Sequence, residues 1–142
     1  MKPVSQLLAG REGTLWHARP DDTVFQALHL LAEYEAGALM VMDQGKLVGI
    51  LSERDYTRKI ALQGRSSKDT RVKEIMTRDV LYVTPSTSTH DCMALMSEKN
   101  IRHLPVLDGS TVLGMISVRD ILDDTIADHE MTIAHLENYI RS

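Results

Sequence analysis

Gly49-Ile50-Leu51-Ser52-Glu53-Arg54-Asp55 is the stretch that decides the fold, because the chain carries it twice. Sixty-five residues later comes Gly114-Met115-Ile116-Ser117-Val118-Arg119-Asp120, with the same glycine, aliphatic pair, serine and Arg-Asp ending. The aliphatic pair is typical of the end of a buried strand, and Ser-x-Arg-Asp is typical of the cap and first turn of a helix. Each copy therefore predicts a strand that leads directly into a helix.

The start of each predicted helix is also a candidate binding site. A helix start offers unpaired N–H groups and a partial positive charge, which suit an anion. An aspartate beside it can accept hydrogen bonds from neutral hydroxyl groups, and a phosphate next to a diol describes a nucleotide. The simpler interpretation is that Ser52 and Ser117 are N-caps and that Asp55 and Asp120 complement the helix dipole. Two copies in one register weaken this interpretation without removing it.

The repeat extends well beyond these motifs. Between 20–55 and 85–120 the offset is a constant 65, and ten of the 36 aligned residues are identical, whereas chance gives about two or three. One unit is too small to bury two apolar strand faces by itself. We therefore predict an α/β (α+β) fold, in which two pseudo-symmetric β-α-β-β-α repeats pack sheet to sheet and a C-terminal helix follows.

The elements of the first unit can be predicted one by one. Leu15-Trp16-His17-Ala18 predicts a brief strand. A helix with apolar residues at helical spacing is expected to begin at residue 22 or 23 and to end at Gly37. A strand–turn–strand over 39–51 and a helix over 53–63 complete the unit.

The second unit repeats this order and sets the domain boundaries. Leu81-Tyr82-Val83 repeats the brief strand, and a helix over about 88–98 precedes the strand pair 104–107 and 112–116. The stretch between the units is polar and prone to turns. The predicted divisions are repeat 1 at 1–63, a linker at 64–71, repeat 2 at 72–127 and a C-terminal helix extension at 128–142.

Composition limits the class of protein. Of 142 residues, 43% are hydrophobic and 25% charged, as in a globular domain, and the net charge of −4 argues against a nucleic-acid partner. No apolar run approaches the roughly 20 residues that span a bilayer, and the N-terminus does not resemble a cleaved signal. We expect a cytoplasmic protein without a membrane partner, and the single Cys92 fits a reducing compartment.

Other chemistry has little support in the sequence. The six histidines lack the spacing of a metal-ligand set, and no nucleotide-hydrolase, kinase or serine-nucleophile motif occurs. Neither a metal site nor a catalytic site is predicted.

The C-terminal segment carries a separate signal. Its apolar residues are spaced by 4, 3, 4, 3 and 4, as in the a/d seam of a coiled coil: Leu122, Ile126, His129, Ile133, Leu136 and Ile140. We prefer a seam that contacts a second subunit. The alternative is a stripe that lies on the surface of the module itself.

The duplicated strand–turn–strand and the paired Gly-x-x-Ser-x-Arg-Asp endings resemble a tandem pair of CBS domains, known as a Bateman module. The resemblance covers residues 1–127, and Ile101-Arg102-His103-Leu104-Pro105-Val106 adds a specific motif. The stretches 64–69 and 137–140 also resemble CBSX-like members that consist of little besides the pair. The resemblance implies adenine nucleotides or related adenosyl ligands, and a homodimer.

The resemblance also implies roles for individual residues. Asp55 and Asp120 would accept the ribose hydroxyls of two clefts. Phosphate or ribose contacts would come from Ser52, Ser117, Arg54, Arg119, Arg102 and His103. The adenine would lie near Ala18, Leu39, Val83 and Leu104. Arg65 and Lys68 are possible phosphate contacts, although a solvated linker charge is the more frequent explanation for such residues.

The first repeat departs from the basic pair of the second, because Gly37 and Ala38 stand where the second has Arg102 and His103. The two clefts should therefore differ in ligand preference, and His103 near its ordinary pKa would add pH dependence between about 6 and 7.

The leading hypothesis is a non-catalytic regulatory module that senses AMP, ADP, ATP or NAD and modulates a partner protein. S-adenosylmethionine is a further candidate ligand. The alternatives are a structural dimeriser that binds no ligand and an enzyme that processes a nucleotide.

Overall fold

The chain folds as two successive sets of strands and helices, and this computed structural model describes residues 2–9 and 16–141. The first set contains α1 (Val4–Leu8), β1 (His17–Ala18), α2 (Val24–Glu33), β2 (Ala38–Asp43), β3 (Lys46–Ser52) and α3 (Glu53–Tyr56), and α3 continues as a π-helical segment, Thr57–Ala61. β1 is parallel to β2, and β2 is antiparallel to β3. The strand predicted from Leu15 is therefore present at 17–18, and Leu15 itself lies outside the described residues.

The second set repeats this topology with one difference. It contains α4 (Val72–Ile75), α5 (Thr89–Lys99), β4 (His103–Asp108), β5 (Thr111–Ser117) and α6 (Val118–Arg141). β4 and β5 are antiparallel. The strand predicted at 81–83 is reduced to one parallel bridge, Val83 with Val106, which matches the Ala18–Val41 pair of the first set at an offset of 65.

The two sheets pack face to face, as the sequence predicts. On β2, Leu39 and Val41 point into a core shared with α2, whereas Met40 and Met42 point the other way. These methionines form a third apolar cluster with Val112 of β5. Alternation along the strand thus gives each sheet one face toward its helices and one toward the other sheet.

The first helix of each set packs with the other set. Val4 and Leu8 of α1 lie in the apolar core of the second repeat, and Val72 and Ile75 of α4 lie in that of the first. The predicted boundaries at 63 and 72 divide the chain by its sequence repeat. In the folded protein, each repeat packs with the short first helix of the other.

Helix α2 begins as predicted and ends earlier. The side chain of Thr23 accepts a hydrogen bond from Gln26 N, and Gln26 accepts one from Thr23 N. The helix ends at Glu33, and Glu35 adopts a φ of 51°. The prediction that Gly37 ends α2 is wrong, because a non-glycine residue makes the left-handed turn two positions earlier.

Helix α6 runs without interruption from Val118 to Arg141, across residue 127. Only its first turns pack against the second repeat, through the buried Ile121. The apolar seam faces solvent, with exposures of 47–81% at Leu122, Ile126, Ile133, Leu136 and Ile140. The alternative, in which the seam packs against the surface of its own module, is therefore wrong.

Within 2–9 and 16–141, no helix combines the length and apolar character needed to cross a bilayer.

Candidate ligand-binding cleft

A cavity of about 700 Å³ lies between the two repeats. Its first wall is formed by 52–55 and 57–59, where β3 ends and α3 begins. Thr77 and 79–81, which follow α4, form a second wall, and 101–103 of the second repeat form a third. The volume is that of a small-molecule site, and both repeats contribute polar groups to it.

Asp55 is positioned by the helix start that the sequence predicts. Ser52 Oγ accepts a hydrogen bond from Asp55 N at 3.1 Å, and Asp55 Oδ2 accepts one from Ser52 N at 3.0 Å. The capping interpretation of the repeated motif is thus confirmed for this copy. It does not exclude binding, since the same carboxylate lines the cavity.

The second oxygen of Asp55 faces partners that the sequence analysis missed. Oδ1 accepts a hydrogen bond from Thr77 Oγ1 at 3.3 Å and lies 3.0 Å from Lys59 Nζ. Lys59 Nζ also donates to Ile75 O at 2.7 Å. The spacing of four residues between Asp55 and Lys59 was a signal available in the sequence, whereas the approach of Thr77 depends on the tertiary fold.

The second copy of the motif has the same cap. Asp120 Oδ2 accepts from Ser117 N at 2.8 Å, and Ser117 Oγ accepts from Asp120 N at 3.1 Å. Beside it, Arg119 is largely exposed and lies 3.9 Å from Asp123. The two predicted ribose acceptors therefore share their local geometry and differ in their surroundings.

The predicted cations are divided between the cavity and the surface. Arg54 and Arg102 both line the cavity. Arg54 Nη1 donates to the carbonyl of Asn100 at 2.8 Å, which ties the first repeat to the second. Arg58, a further cation missed by the sequence analysis, lines the same cavity.

His103 lies between the two repeated motifs. A Cβ added at Gly37 would lie 3.3 Å from His103 Cε1, so the imidazole packs against the first repeat. Burial lowers the pKa of His103 below 6.5, and Arg102 lowers it further, while Asp120 and Glu53 partly oppose the shift. Desolvation therefore moves the titration of His103 toward lower pH than its ordinary pKa would give.

The predicted adenine contacts are not available as side-chain contacts. Ala18 and Leu39 are buried in the first core, and Val83 and Leu104 in the second. Strand alternation turns them away from the cleft. The apolar side chains that line the cavity instead are Ile50, Val80, Leu81 and Ile101.

The two linker cations have other partners. Arg65 Nη2 lies 2.9 Å from Glu74 Oε1, and Lys68 Nζ lies 4.9 Å from the centre of the Phe25 ring. Neither residue lines the cavity. The interpretation as linker charges therefore fits the structure better than a phosphate contact.

Two further features bear on chemistry. Across the part of the chain that the structure describes, no group of three or more His, Cys, Asp or Glu side chains could hold a metal ion. Cys92 is buried in the second core, and burial raises the pKa of its thiol, which suppresses the reactive thiolate.

Comparison with known proteins settles the family. The CBS domain family model matches residues 15–62 and again residues 72–125. The chain belongs to the CBS-domain family. Proteins of this family are generally regulatory modules that bind adenosyl-containing ligands. The two matched segments lie one in each of the two repeats recognised in the sequence.

Individual CBS proteins match over most of the chain. A solved CBS-domain protein from Burkholderia ambifaria MC40-6 is 49% identical, with a TM-score of 0.86 over 89% of this chain and 96% of that one. The mitochondrial CBS domain-containing protein CBSX3 of Arabidopsis thaliana is 40% identical over 89% of this chain. This chain spans 64% of the length of CBSX3.

A hexameric CBS-CP12 protein from bloom-forming cyanobacteria is more distant. It is 31% identical, with a TM-score of 0.75 over 86% of this chain and 70% of that one.

Proposed function

We propose that this CBS pair is a regulatory module that binds an adenine nucleotide in the cavity beside Asp55. The observation that carries the proposal is the position of the Asp55 carboxylate in a cavity that also contains Arg54, Arg58 and Arg102. Carboxylate oxygens accept hydrogen bonds from ribose hydroxyls, and guanidinium groups bind phosphate oxygens. AMP, ADP, ATP and NAD all present both groups.

Occupancy would alter the contact between the repeats. Arg54 reaches the carbonyl of Asn100, and Arg102 enters the cavity from the second repeat. A ligand that binds these arginines favours one relative position of the repeats over others. A partner protein that contacts both repeats would then bind with a different affinity.

A thermal-shift panel tests the proposal. AMP, ADP, ATP, NAD and S-adenosylmethionine are compared with guanosine nucleotides as controls. A ligand at 100 times its dissociation constant should add about 2.7 kcal/mol to the free energy of unfolding.

A matched pair of variants separates the site from general stability effects. Asp55→Asn keeps an oxygen that can accept from Ser52 N but removes the charge. Asp43→Asn makes the same change at an exposed position at the end of β2. We expect Asp55→Asn alone to abolish the shift. Equal shifts in both variants, or no adenosyl ligand among those that bind, would contradict the proposal.

A second function, assembly through α6, is favoured by its exposed apolar seam. We propose that the seam pairs with α6 of another copy to form a homodimer. Ile133→Glu with Leu136→Glu should halve the particle mass in light scattering, and Glu130→Ala, on the same exposed helix, should not. This pair leaves the buried Ile121 in place, so an unchanged mass would mean that α6 has no role in assembly.

The cytoplasmic location stays a prediction. The name of the plant relative CBSX3 places that protein in the mitochondrion, so fractionation of cells that express the full-length chain is the direct test.

A further inference from the structure

We propose that the Asp55 cleft binds the polyphosphate chain of an adenine nucleotide, whereas the pseudo-symmetric position at Asp120 rejects one. This inference rests on the proposed function, because it assumes an adenosyl ligand at Asp55. It adds the class of ligand and a stoichiometry of one polyphosphate per chain.

The positions at Asp55 and Asp120 correspond in the structure as well as in the sequence. Glu53 N donates to Gly37 O at 3.0 Å, and Val118 N donates to Arg102 O at 2.9 Å. Both pairs are related by the offset of 65, as are the two capping boxes. A difference in side chains at matched positions is therefore a difference between equivalent places in the fold.

The charge of the helical turn after the aspartate is reversed between the copies. After Asp55 the chain carries Arg58 and Lys59, and both line the cavity. Sixty-five residues later the matched positions are Asp123 and Asp124. Two cations in the first repeat thus correspond to two anions in the second, a difference of four unit charges in one turn of helix.

The surrounding contacts act on this charge reversal in both directions. At the second position, Arg119 lies 3.9 Å from Asp123, which reduces the attraction of its guanidinium for a phosphate. Asp124 is paired with Lys2 at 2.9 Å, so one of the two acidic charges is partly neutralised. At the first position Arg102 enters from the opposite repeat and adds a further cation.

The number of guanidinium groups favours more than one phosphate. Arg54, Arg58 and Arg102 line the cavity from two repeats. A guanidinium binds phosphate oxygens through two parallel N–H donors, so a single phosphate cannot use three such groups as fully as a chain of phosphates can. ATP should therefore bind this cleft more tightly than AMP, and AMP more tightly than adenosine.

A reciprocal pair of charge-reversal variants tests the inference in the full chain. Arg58→Asp and Asp123→Arg alter matched, exposed positions, so neither disturbs an apolar core. Titration calorimetry with adenosine, AMP and ATP is carried out in magnesium-free buffer at low and at physiological ionic strength. The wild type should bind one ATP per chain, with an affinity that falls as salt screens the charges.

Arg58→Asp should weaken ATP binding about tenfold or more, since two unit charges change near the phosphates. The loss for adenosine should be much smaller, because it has no phosphate. At physiological ionic strength, Asp123→Arg should leave the first ATP site within about twofold of its original affinity, because Asp123 does not line that cavity and exposed charges are screened.

Three results would overturn the inference. They are two equal ATP sites in the wild type, equal losses for ATP and adenosine in Arg58→Asp, or an ATP affinity no greater than that of adenosine. Adenosine binding that depends on Asp55, without any gain from phosphates, would overturn this inference alone. Failure of all three ligands to bind would overturn the proposed function as well.

Discussion

Gly49→Ala is the substitution for which the structure gives the sharpest expectation, because Gly114 provides its matched control. A Cβ at Gly49 would lie 2.7 Å from Met76 Sδ and 3.0 Å from the carbonyl oxygen of Thr77. The backbone there cannot move freely, since Thr77 and Ile50 exchange two backbone hydrogen bonds of 2.8 and 3.0 Å. At Gly114 the nearest atom is Leu8 Cδ2 at 3.2 Å, the end of a flexible side chain.

The two substitutions should therefore differ in magnitude. Replacement of a strand glycine by alanine gains about 0.5–1 kcal/mol from the unfolded chain, and overpacking against a fixed backbone costs about 1–3 kcal/mol. We expect a net loss of about 1–2 kcal/mol for Gly49→Ala and about zero for Gly114→Ala. Urea unfolding at one protein concentration measures both, as a change of midpoint at constant slope.

Gly49→Ala should also affect ligand binding in the cleft. Thr77 lines the cavity and donates to Asp55, so displacement of 76–77 moves one wall of the site. Gly49→Ala should then weaken nucleotide binding, while Gly114→Ala should leave binding at Asp55 intact. Equal destabilisation by the two alanines, or a neutral Gly49→Ala, would refute the argument from the close approach of Thr77.

Two further predictions concern titratable groups near the cleft. Burial lowers the pKa of His103 in the folded state, so the unfolded chain binds a proton at this histidine first as the pH falls. The free energy of unfolding should therefore decline from pH 6.5 down through the lower folded-state pKa, by at most about 1.4 kcal/mol per unit of pKa difference. His103→Gln should remove this decline in urea unfolding between pH 7 and 5, and an unchanged decline would assign it to other groups. Lys59→Met should lower the free energy of unfolding by about 1 kcal/mol at most, since the Lys59 side chain is 39% exposed and solvent screens its ion pair with Asp55. It should strengthen adenosine binding in calorimetry, because it releases Asp55 Oδ1. Weaker adenosine binding would mean that Lys59 holds the carboxylate in its binding position.

The sequence predicted the parts of this protein that depend on local pattern. The repeated Ser-x-Arg-Asp motif predicted both helix starts, and the apolar runs on either side of a turn predicted the two strand pairs, at 39–51 and 104–116. The brief strand at 81–83 was overestimated, because only Val83 reaches β4. Periodicity reports which residues are buried but does not show which wall of a cleft they form.

The candidate site was predicted less completely for the same reason. Asp55, Arg54 and Arg102 do line one cavity, as the resemblance to CBS domains suggested. Thr77 could not be found from sequence, because it reaches Asp55 only through the packing of α4 on the first repeat. Leu39 and Leu104, predicted to lie near the adenine, have their side chains in the two cores and do not line this cavity.

The Asp55 carboxylate shows how capping and binding can share one side chain. A carboxylate has about four positions for hydrogen bonds, and Asp55 accepts from Ser52 N, Ser52 Oγ, Thr77 Oγ1 and the Lys59 ammonium. The bond from Ser52 N fixes the helix start and must persist in any complex. A ribose diol would therefore replace hydroxyl and ammonium donors, which come from side chains and not from the backbone of the helix start. Lys59, once displaced, would stay in the cavity beside Arg58, where its charge can meet a phosphate.

Replacement of the Lys59 ammonium group by a ribose diol at Asp55 would thus couple ribose recognition to phosphate recognition at the same helical turn. Because Asp124 stands at the position of Lys59 in the second repeat, this coupling is possible at Asp55 and not at Asp120.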